Sequence, residues 1–376
     1  MKNAIPALSD LKLRASWGKT GNQAFANYQQ YATYSVGDAQ SQAQFGNQFV
    51  TTLRPNAFDP NIKWEATSSY DFGLDYGFLD QRISGAIDVY RKKTTDLIFT
   101  VGVPAGTNLA DMMTTNIGSM QNQGVEGSLT ARILDGGKRG LSWTADFNAA
   151  ANRNELLTIN PIVGPGQKIL TGSIAGGVGS TIQVLTPGEP INSFYTCPQY
   201  YQDGKPVENK YLSLADTVAT GCGDASRRAA HDPAPKWMLG HTSSFTYRNF
   251  DASFTLRAYL GNYVYNNVAS NLGTYAEVGR GSPYNLHASV LKTGFTQPQY
   301  LSDYYVEDAS FLRLDNLTLG YSFEYAGKPL RLYGTVQNAF TLTGYTGVDP
   351  TAGLNGLDNN RYPRARTFAA GLNVRF

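Results

Sequence analysis

Three histidines and two cysteines are the side chains here best suited to covalent or acid–base chemistry. His231, His241 and His287 have a spacing that matches no known metal-binding or nucleophile motif. The best catalytic pairing is His231 beside Asp232, which could supply a base and an acid at the end of a strand, as in a surface protease. A solvated loop before Pro233 is the simpler interpretation. We therefore predict that the chain is not an enzyme and uses neither a metal ion nor a cofactor.

The two cysteines are too far apart for a CxxC motif and too few for a disulfide scaffold. Cys197 and Cys222 fall in the same long connection between predicted strands. A disulfide between them would stabilise that connection by roughly 3 kcal/mol through loop entropy. Two free thiols are the alternative.

Composition and charge exclude several classes of protein. Charged residues make up 16% of the chain, against a usual fraction of about 25%. The formal net charge is +2, which gives no electrostatic footprint for nucleic acid. No window approaches the ~18 apolar residues of a membrane-spanning helix. The first residues also lack the basic and apolar regions of a signal peptide.

Apolar residues recur with a period of two, which is typical of strands that have one apolar and one polar face. The segment Ser69 to Leu79 shows it clearly, because Tyr70, Phe72 and Leu74 alternate with small or charged residues. The same pattern predicts ten strands, over 11–18, 69–79, 82–92, 124–133, 141–152, 237–247, 250–260, 311–323, 330–338 and 367–376. In the strand over 311–323 the phase changes, so we expect a β-bulge near Asp315 and Asn316.

The connections between these strands alternate between short and long, as in an outer-membrane β-barrel with tight turns at one end and large loops at the other. The predicted fold class is therefore all-β, a transmembrane antiparallel barrel. Aromatic residues near the strand ends fit interfacial girdles, and the charged residues fall on the opposite face from the apolar ones. A soluble β-rich module that binds carbohydrate is the alternative. In that fold the aromatic rings would pack against a second layer.

An ordered series of segments resembles the SusC/RagA family of TonB-dependent outer-membrane transporters. These segments are LKLRASWGKTGNQ at 11–23, PNIKWEATSSYDFGLDYGFLDQRISGAIDVYRKKTTDLI at 60–98, NIGSMQNQGVEGSL at 116–129, PAPKWMLG at 233–240, YVEDASFLRLDNLTLGYSF at 305–323, LRLYGTVQNAFTLTGYTGVDP at 330–350 and the terminal strand. The resemblance covers nearly the whole chain and concerns the C-terminal half of those transporters.

The resemblance implies that residues 1–376 are the C-terminal part of a 22-stranded barrel. The plug domain, the TonB box and the N-terminal strands are not visible in this sequence. A barrel of ten strands closing on itself is the structural alternative, and it requires the first strand to pair with the last. The terminal Phe376 resembles the aromatic signal that the barrel-assembly machinery recognises.

Function in this family is nutrient import across the bacterial outer membrane. The resemblance implies a SusD-like surface lipoprotein and the TonB complex as partners, the latter acting through the missing plug, with outer-membrane lipid around the barrel. Aromatic and amide side chains in the long loops suit sugar rings, which favours glycans over peptides as cargo. The substrate candidates are Tyr195, Tyr200, Tyr201, Tyr263 and Tyr265. The alternative is that these tyrosines pack the loops together.

Overall fold

The computed structural model describes residues 7–23, 25–37, 42–103, 106, 108–110, 112–137, 140–159, 168–177, 179–279, 285–353 and 355–375. The strands in chain order are β1 (Leu8–Asn22), β2 (Tyr34–Val36), β3 (Gln42–Phe45), β4 (Gln48–Thr51), β5 (Leu53–Pro55), β6 (Glu65–Phe78), β7 (Ile83–Gly102), β8 (Met112–Leu134), β9 (Leu141–Ile159), β10 (Ile169–Ser173), β11 (Thr181–Leu185), β12 (Ser193–Thr196), β13 (Gln199–Gln202), β14 (Lys205–Leu212), β15 (Val218–Thr220), β16 (Arg228–Ala230), β17 (Trp237–Tyr247), β18 (Phe250–Leu260), β19 (Tyr263–Asn266), β20 (Val306–Asp308), β21 (Phe311–Tyr325), β22 (Lys328–Thr343), β23 (Leu357–Asp358) and β24 (Thr367–Val374). The helices of these residues are short: α1 (Asn267–Leu272), α2 (Val290–Thr293) and two 3-10 turns over Tyr275–Gly279 and Asp303–Tyr305.

Ten of these strands form one antiparallel sheet, which we call the wall. Its order is β1-β6-β7-β8-β9-β17-β18-β21-β22-β24, so each of the ten predicted strands is present and pairs with its neighbour along the chain. Among the described residues β1 pairs with β6 and β24 with β22, and the two outermost strands do not meet. The alternative of a self-closed ten-stranded barrel is therefore wrong for this structure.

Several wall strands are longer than their apolar alternation predicts. The strand predicted over 124–133 runs from Met112 to Leu134, and the one predicted over 141–152 continues to Ile159. The extra residues mix both kinds of side chain: Gln121, Asn122 and Gln123 are polar, whereas Ile117 and Leu156 are buried and apolar. Backbone pairing continues past the lipid-facing band because neighbouring strands still supply hydrogen-bond partners there. Apolar residues of the extensions are buried instead in a small core, where Leu156 packs with Leu97 and Leu185.

The short connections all lie at one end of the wall, the turn end, and the long ones at the other, the loop end. The turn between β21 and β22 places both Ala326 and Gly327 at positive φ, 53° and 72°, as in a tight two-residue hairpin. The predicted bulge is confirmed. Asp315 is an extra residue opposite the step from Thr255 to Leu256, where the register of β18 and β21 shifts.

One face of the wall is apolar and uncovered. Leu13, Phe72 and Phe368 expose 81%, 62% and 72% of their surface. No second layer of rings packs over this face in the described part of the chain, since the exposed apolar residues extend from β1 to β24. A soluble sandwich would bury such a face, so the arrangement fits a lipid-facing surface.

The opposite face carries a series of arginine–carboxylate pairs between strands. Arg14 on β1 contacts Asp75 on β6 and Asp88 on β7, each at 2.8 Å. Gly73 lies beneath this guanidinium, and a Cβ there would lie 2.4 Å from the Asp88 carboxylate and 2.6 Å from Arg14. The glycine therefore gives the guanidinium room to lie across the strand.

Similar arginine–carboxylate pairs occur on other strands of the wall. Arg331 donates to Asp251 at 2.8 Å over Gly320, and Arg257 pairs with Asp315 at 2.9 Å. Charges that are paired and partly accessible to water are expected on the lumenal face of a barrel.

No helix in the described residues has the length and hydropathy needed to cross a membrane.

Candidate functional site

Three long connections pack together at the loop end into one folded unit, the loop assembly, made of residues 168–236, 261–310 and 344–366 as far as they are described. It contains small sheets that the alternation pattern did not predict: β10-β11-β12-β16, β13-β14-β15 and β20-β19-β23. The main core of the assembly consists of Ile174, Ile182, Phe194, Tyr265, Ala269, Tyr305 and Leu357. These connections are therefore folded with a water-excluding interior.

Hydrogen bonds join the connections that are distant in sequence. The backbone of Cys197 donates to Leu301 O at 2.8 Å, and that of Gln199 donates to Asp303 Oδ1 at 2.8 Å. Gln183 Nε2 donates to the carbonyl of Asn355 at 2.6 Å. Because all three connections contribute, the shape of the surface depends on their mutual packing.

The two cysteines form a disulfide inside this assembly. Cys197 and Cys222 are separated by 25 positions, with Cα atoms 5.8 Å apart. Cys197 directly follows β12 and is fully buried, while Cys222 lies between β15 and β16 and is partly exposed, so the bond ties these two parts of the connection together.

Two of the five candidate tyrosines are buried. Tyr265 is fully buried, and its hydroxyl donates to the carbonyl of Tyr300 at 2.6 Å. The hydroxyl of Tyr195 accepts from Lys168 Nζ at 2.8 Å, and its ring lies 4.4 Å from the Arg227 guanidinium. In this conformation both side chains pack the assembly and offer no ring face to a solute.

The other three tyrosines remain accessible. Tyr201 is 48% exposed, and Tyr200 and Tyr263 are partly exposed. The pKa of Tyr201 is raised to about 12, mainly by partial burial of the side chain and to a smaller extent by the negative charge of Asp303. The hydroxyl therefore stays protonated and able to donate a hydrogen bond. The ring of Tyr263 stacks on His231 at 3.9 Å between centroids.

The three histidines are separated by the fold. His231 is engaged with Tyr263, and Asp232 Oδ1 accepts from the backbone of Ala234 at 3.0 Å. His241 lies on the outer face of the wall, where Phe147 stacks on it at 4.2 Å. No cluster of three or more potential metal ligands occurs among the described residues.

His287 lines a cavity of about 320 Å³ in the loop assembly. Lys292, Tyr304 and Glu307 also line it. Burial lowers the pKa of His287, which favours the neutral imidazole at physiological pH. The cavity therefore combines a cation, a carboxylate, a phenol and an imidazole, all able to hydrogen-bond a polar solute.

A buried ion pair fixes the third connection to the wall and was missed by sequence reasoning. Arg313 on β21 is 2% exposed and donates to Asp349 at 2.9 Å, while Arg364 reaches the other oxygen of Asp349 at 2.9 Å. Burial opposes ionisation of Asp349, but hydrogen bonds from Thr351 and Arg313 outweigh it and lower the pKa of Asp349.

Comparison with protein families matches residues 6–339 to the model described as TonB dependent receptor-like, beta-barrel. The chain belongs to this family. Family membership places the chain in the bacterial outer membrane, as the resemblance implied. The wall, with its apolar face outward, is then part of the membrane-spanning barrel.

Similar curated proteins support the same assignment. The TonB-dependent receptor SusC of Bacteroides thetaiotaomicron is 39% identical over 99% of this chain and 38% of that protein. The TonB-dependent receptor P3 of Formosa agariphila is 31% identical over 97% of this chain and 39% of that protein. The chain thus spans about two fifths of the length of these relatives.

Among solved structures, the RagAB peptide importer in its closed-closed state superposes with a TM-score of 0.79 at 24% identity, covering 99% of this chain and 42% of that one. At this identity the likeness shows the fold alone. Phe376, the expected assembly signal, lies outside the described residues.

Proposed function

We propose that this chain is the C-terminal part of the barrel of a SusC-like, TonB-dependent nutrient importer. The observation that carries the proposal is the wall itself, whose outermost strands β1 and β24 have one unpaired edge each among the described residues. Hydrocarbon does not tolerate open sheet edges, so further strands must complete the barrel. A folded loop assembly stands at the loop end, where an importer would select its cargo.

The partners follow from the same assignment. We infer that a plug and a TonB box in the rest of the receptor couple it to the TonB complex, and that a SusD-like surface lipoprotein covers the loop assembly. The barrel-assembly machinery would recognise Phe376. Deleting Phe376 from the full receptor should lower its yield in the outer membrane, measured by surface labelling. Unchanged yield would contradict that role.

We propose oligosaccharides as the cargo class, because accessible tyrosines and amide side chains suit sugar rings. The full receptor should be tested in uptake assays with oligosaccharide and oligopeptide mixtures. Uptake of peptides alone would reject the glycan version.

Variants make the same assay specific to the site. Tyr201→Ala combined with Tyr263→Ala should reduce sugar uptake severalfold, because both rings are accessible in the loop assembly. Tyr325→Ala is the matched control, since that ring is 71% exposed at the turn end, away from the loop assembly. Equal uptake by all variants would remove these tyrosines from the site.

Catalysis is not part of the proposal. The family relatives are transporters, and His231 is stacked on Tyr263. His231→Ala in the full receptor should leave peptide cleavage at background level, as in the wild type. If the wild type cleaved peptides and His231→Ala abolished that cleavage, the protease interpretation would be restored.

The soluble carbohydrate-binding module is not favoured. A protein of that class should stay monodisperse without detergent. We expect this chain to aggregate when detergent is removed, because the apolar face of its wall is uncovered.

A further inference from the structure

The outer face of the wall carries a groove whose floor is apolar and whose rim is cationic. The groove has a volume of about 680 Å³ and is formed on β6, β7, β8 and β9, next to the start of β17. Two cross-strand rows build it. The floor row is Phe72, Val89, Val125 and Ala151, and the rim row is Tyr70, Arg91, Gln123 and Arg153, with Lys236 beside them.

Differences in side-chain size explain the shape of the groove. Val89 and Val125 are small and about half exposed, and they lie beside Phe72, which stands 62% exposed next to them. Because the outer face of the wall meets hydrocarbon, this apolar floor is suited to an acyl chain.

The rim lies two residues towards the loop end from the floor, where the apolar band stops. Arg91 donates to Gln121 Oε1 at 2.9 and 2.6 Å. Because the Gln121 amide is neutral, the contact orients the Arg91 guanidinium but does not compensate its positive charge. Arg153 lies 3.4 Å from Glu155 with its side chain 70% exposed. Three cations thus converge with one adjacent carboxylate, which leaves the rim positive.

The position of the rim across the membrane indicates the class of ligand. Long connections face the outside of the cell in outer-membrane barrels, so the rim lies at the level of the outer-leaflet head groups. That leaflet is built from phosphorylated glycolipids. Arginine and lysine bind phosphate oxygens by charge-assisted hydrogen bonds, while the hydroxyl of Tyr70 and the amide of Gln123 can bond sugar hydroxyls.

We propose that this groove binds one phosphorylated glycolipid of the outer leaflet, with an acyl chain over Val89 and Val125 and a phosphate on Arg91, Arg153 and Lys236. The site is independent of the cargo and requires only the membrane location of the wall.

Native mass spectrometry of the full, delipidated receptor in detergent tests the proposal. Lipid A is the probe, with dephosphorylated lipid A, phosphatidylglycerol and inorganic phosphate as separate arms. We expect one lipid A retained per receptor and at least tenfold weaker retention of the dephosphorylated form. Equal retention of that form would overturn the phosphate contact, and equal retention of phosphatidylglycerol would overturn the choice of a glycolipid. Thermal protection by inorganic phosphate equal to that by lipid A would overturn a lipid site.

Two variants locate the site. The triple variant Arg91→Gln, Arg153→Gln and Lys236→Gln should retain lipid A at least tenfold less, and Val125→Trp should do the same by filling the floor. Lipid retention like the wild type in both would overturn the groove as the site.

The matched control removes three exposed lysines elsewhere: Lys19→Gln, Lys63→Gln and Lys205→Gln. It should retain lipid A like the wild type, whereas an equal loss would show that total charge, and not this groove, holds the lipid. Nutrient uptake, measured in parallel, reports on the proposed transport function separately.

Discussion

The wall and the loop assembly place their apolar residues on opposite sides. In the wall, rings such as Phe72 point outward and are exposed, while charged side chains pair on the other face. In the loop assembly, Phe194 and Tyr265 are fully buried in a core. The difference follows from the surroundings, because the wall meets hydrocarbon on its outer face, whereas the loop assembly lies outside the bilayer and buries its apolar rings in a core of its own.

The largest expected effect is a cavity in the loop core. Phe194→Ala should destabilise the loop assembly by about 3–5 kcal/mol, since it removes a fully buried ring. Phe72→Ala is the control, because lipid can fill the space its exposed ring leaves. Limited proteolysis of the full receptor in detergent measures loop opening. Equal sensitivity of both variants would contradict the buried core.

A charge on the outer face should have the next largest effect. Ile87 lies four residues from Arg91 at the rim and four from Ile83 at the turn end, near the middle of the apolar band. Ile87→Arg should cost about 2–4 kcal/mol in the membrane. Ala86→Arg, on the lumenal face, should cost much less. Unfolding in urea from lipid vesicles compares them, and a reversed order would mean that the two faces are assigned the wrong way round.

Loss of the disulfide should destabilise the loop assembly and leave the wall unchanged. Cys197→Ser with Cys222→Ser removes a loop constraint worth up to roughly 3 kcal/mol. Hydrogen exchange should rise within 168–236 and stay unchanged in the wall strands. A mass shift of the linking peptides on reduction establishes the bond itself, and its absence would favour free thiols.

The smallest effect concerns pH. Because the folded-state pKa of Asp349 is lowered, the stability it contributes is present above its unfolded pKa and is lost as pH falls through the lower folded value. Hydrogen exchange within 344–366 should therefore increase in acid. Asp349→Asn should show faster exchange at neutral pH and a flatter acid response. An identical acid response in the wild type and in Asp349→Asn would show that the Asp349 carboxylate does not cause the pH dependence.

Sequence periodicity predicted the strands of the wall because alternation reports directly on a surface with two different solvents. It underestimated the length of β8 and β9, since the extensions of these strands mix polar and apolar residues without strict alternation. It also missed the small sheets in the loops, whose strands have two to eight residues and lack a regular alternation of buried and exposed positions. The five candidate tyrosines came from composition, which cannot separate the buried Tyr265 from the exposed Tyr201.

The sequence by itself determined the wall: its strand number, its faces and the bulge at Asp315. Only the tertiary structure decided which long connections pack together, which tyrosines stay accessible and that Arg313 is paired with Asp349. The physical reason is the range of the interactions. A strand of the wall is specified by its own alternation of side chains and pairs with the next wall strand along the chain. The loop core depends instead on contacts between segments far apart in the chain.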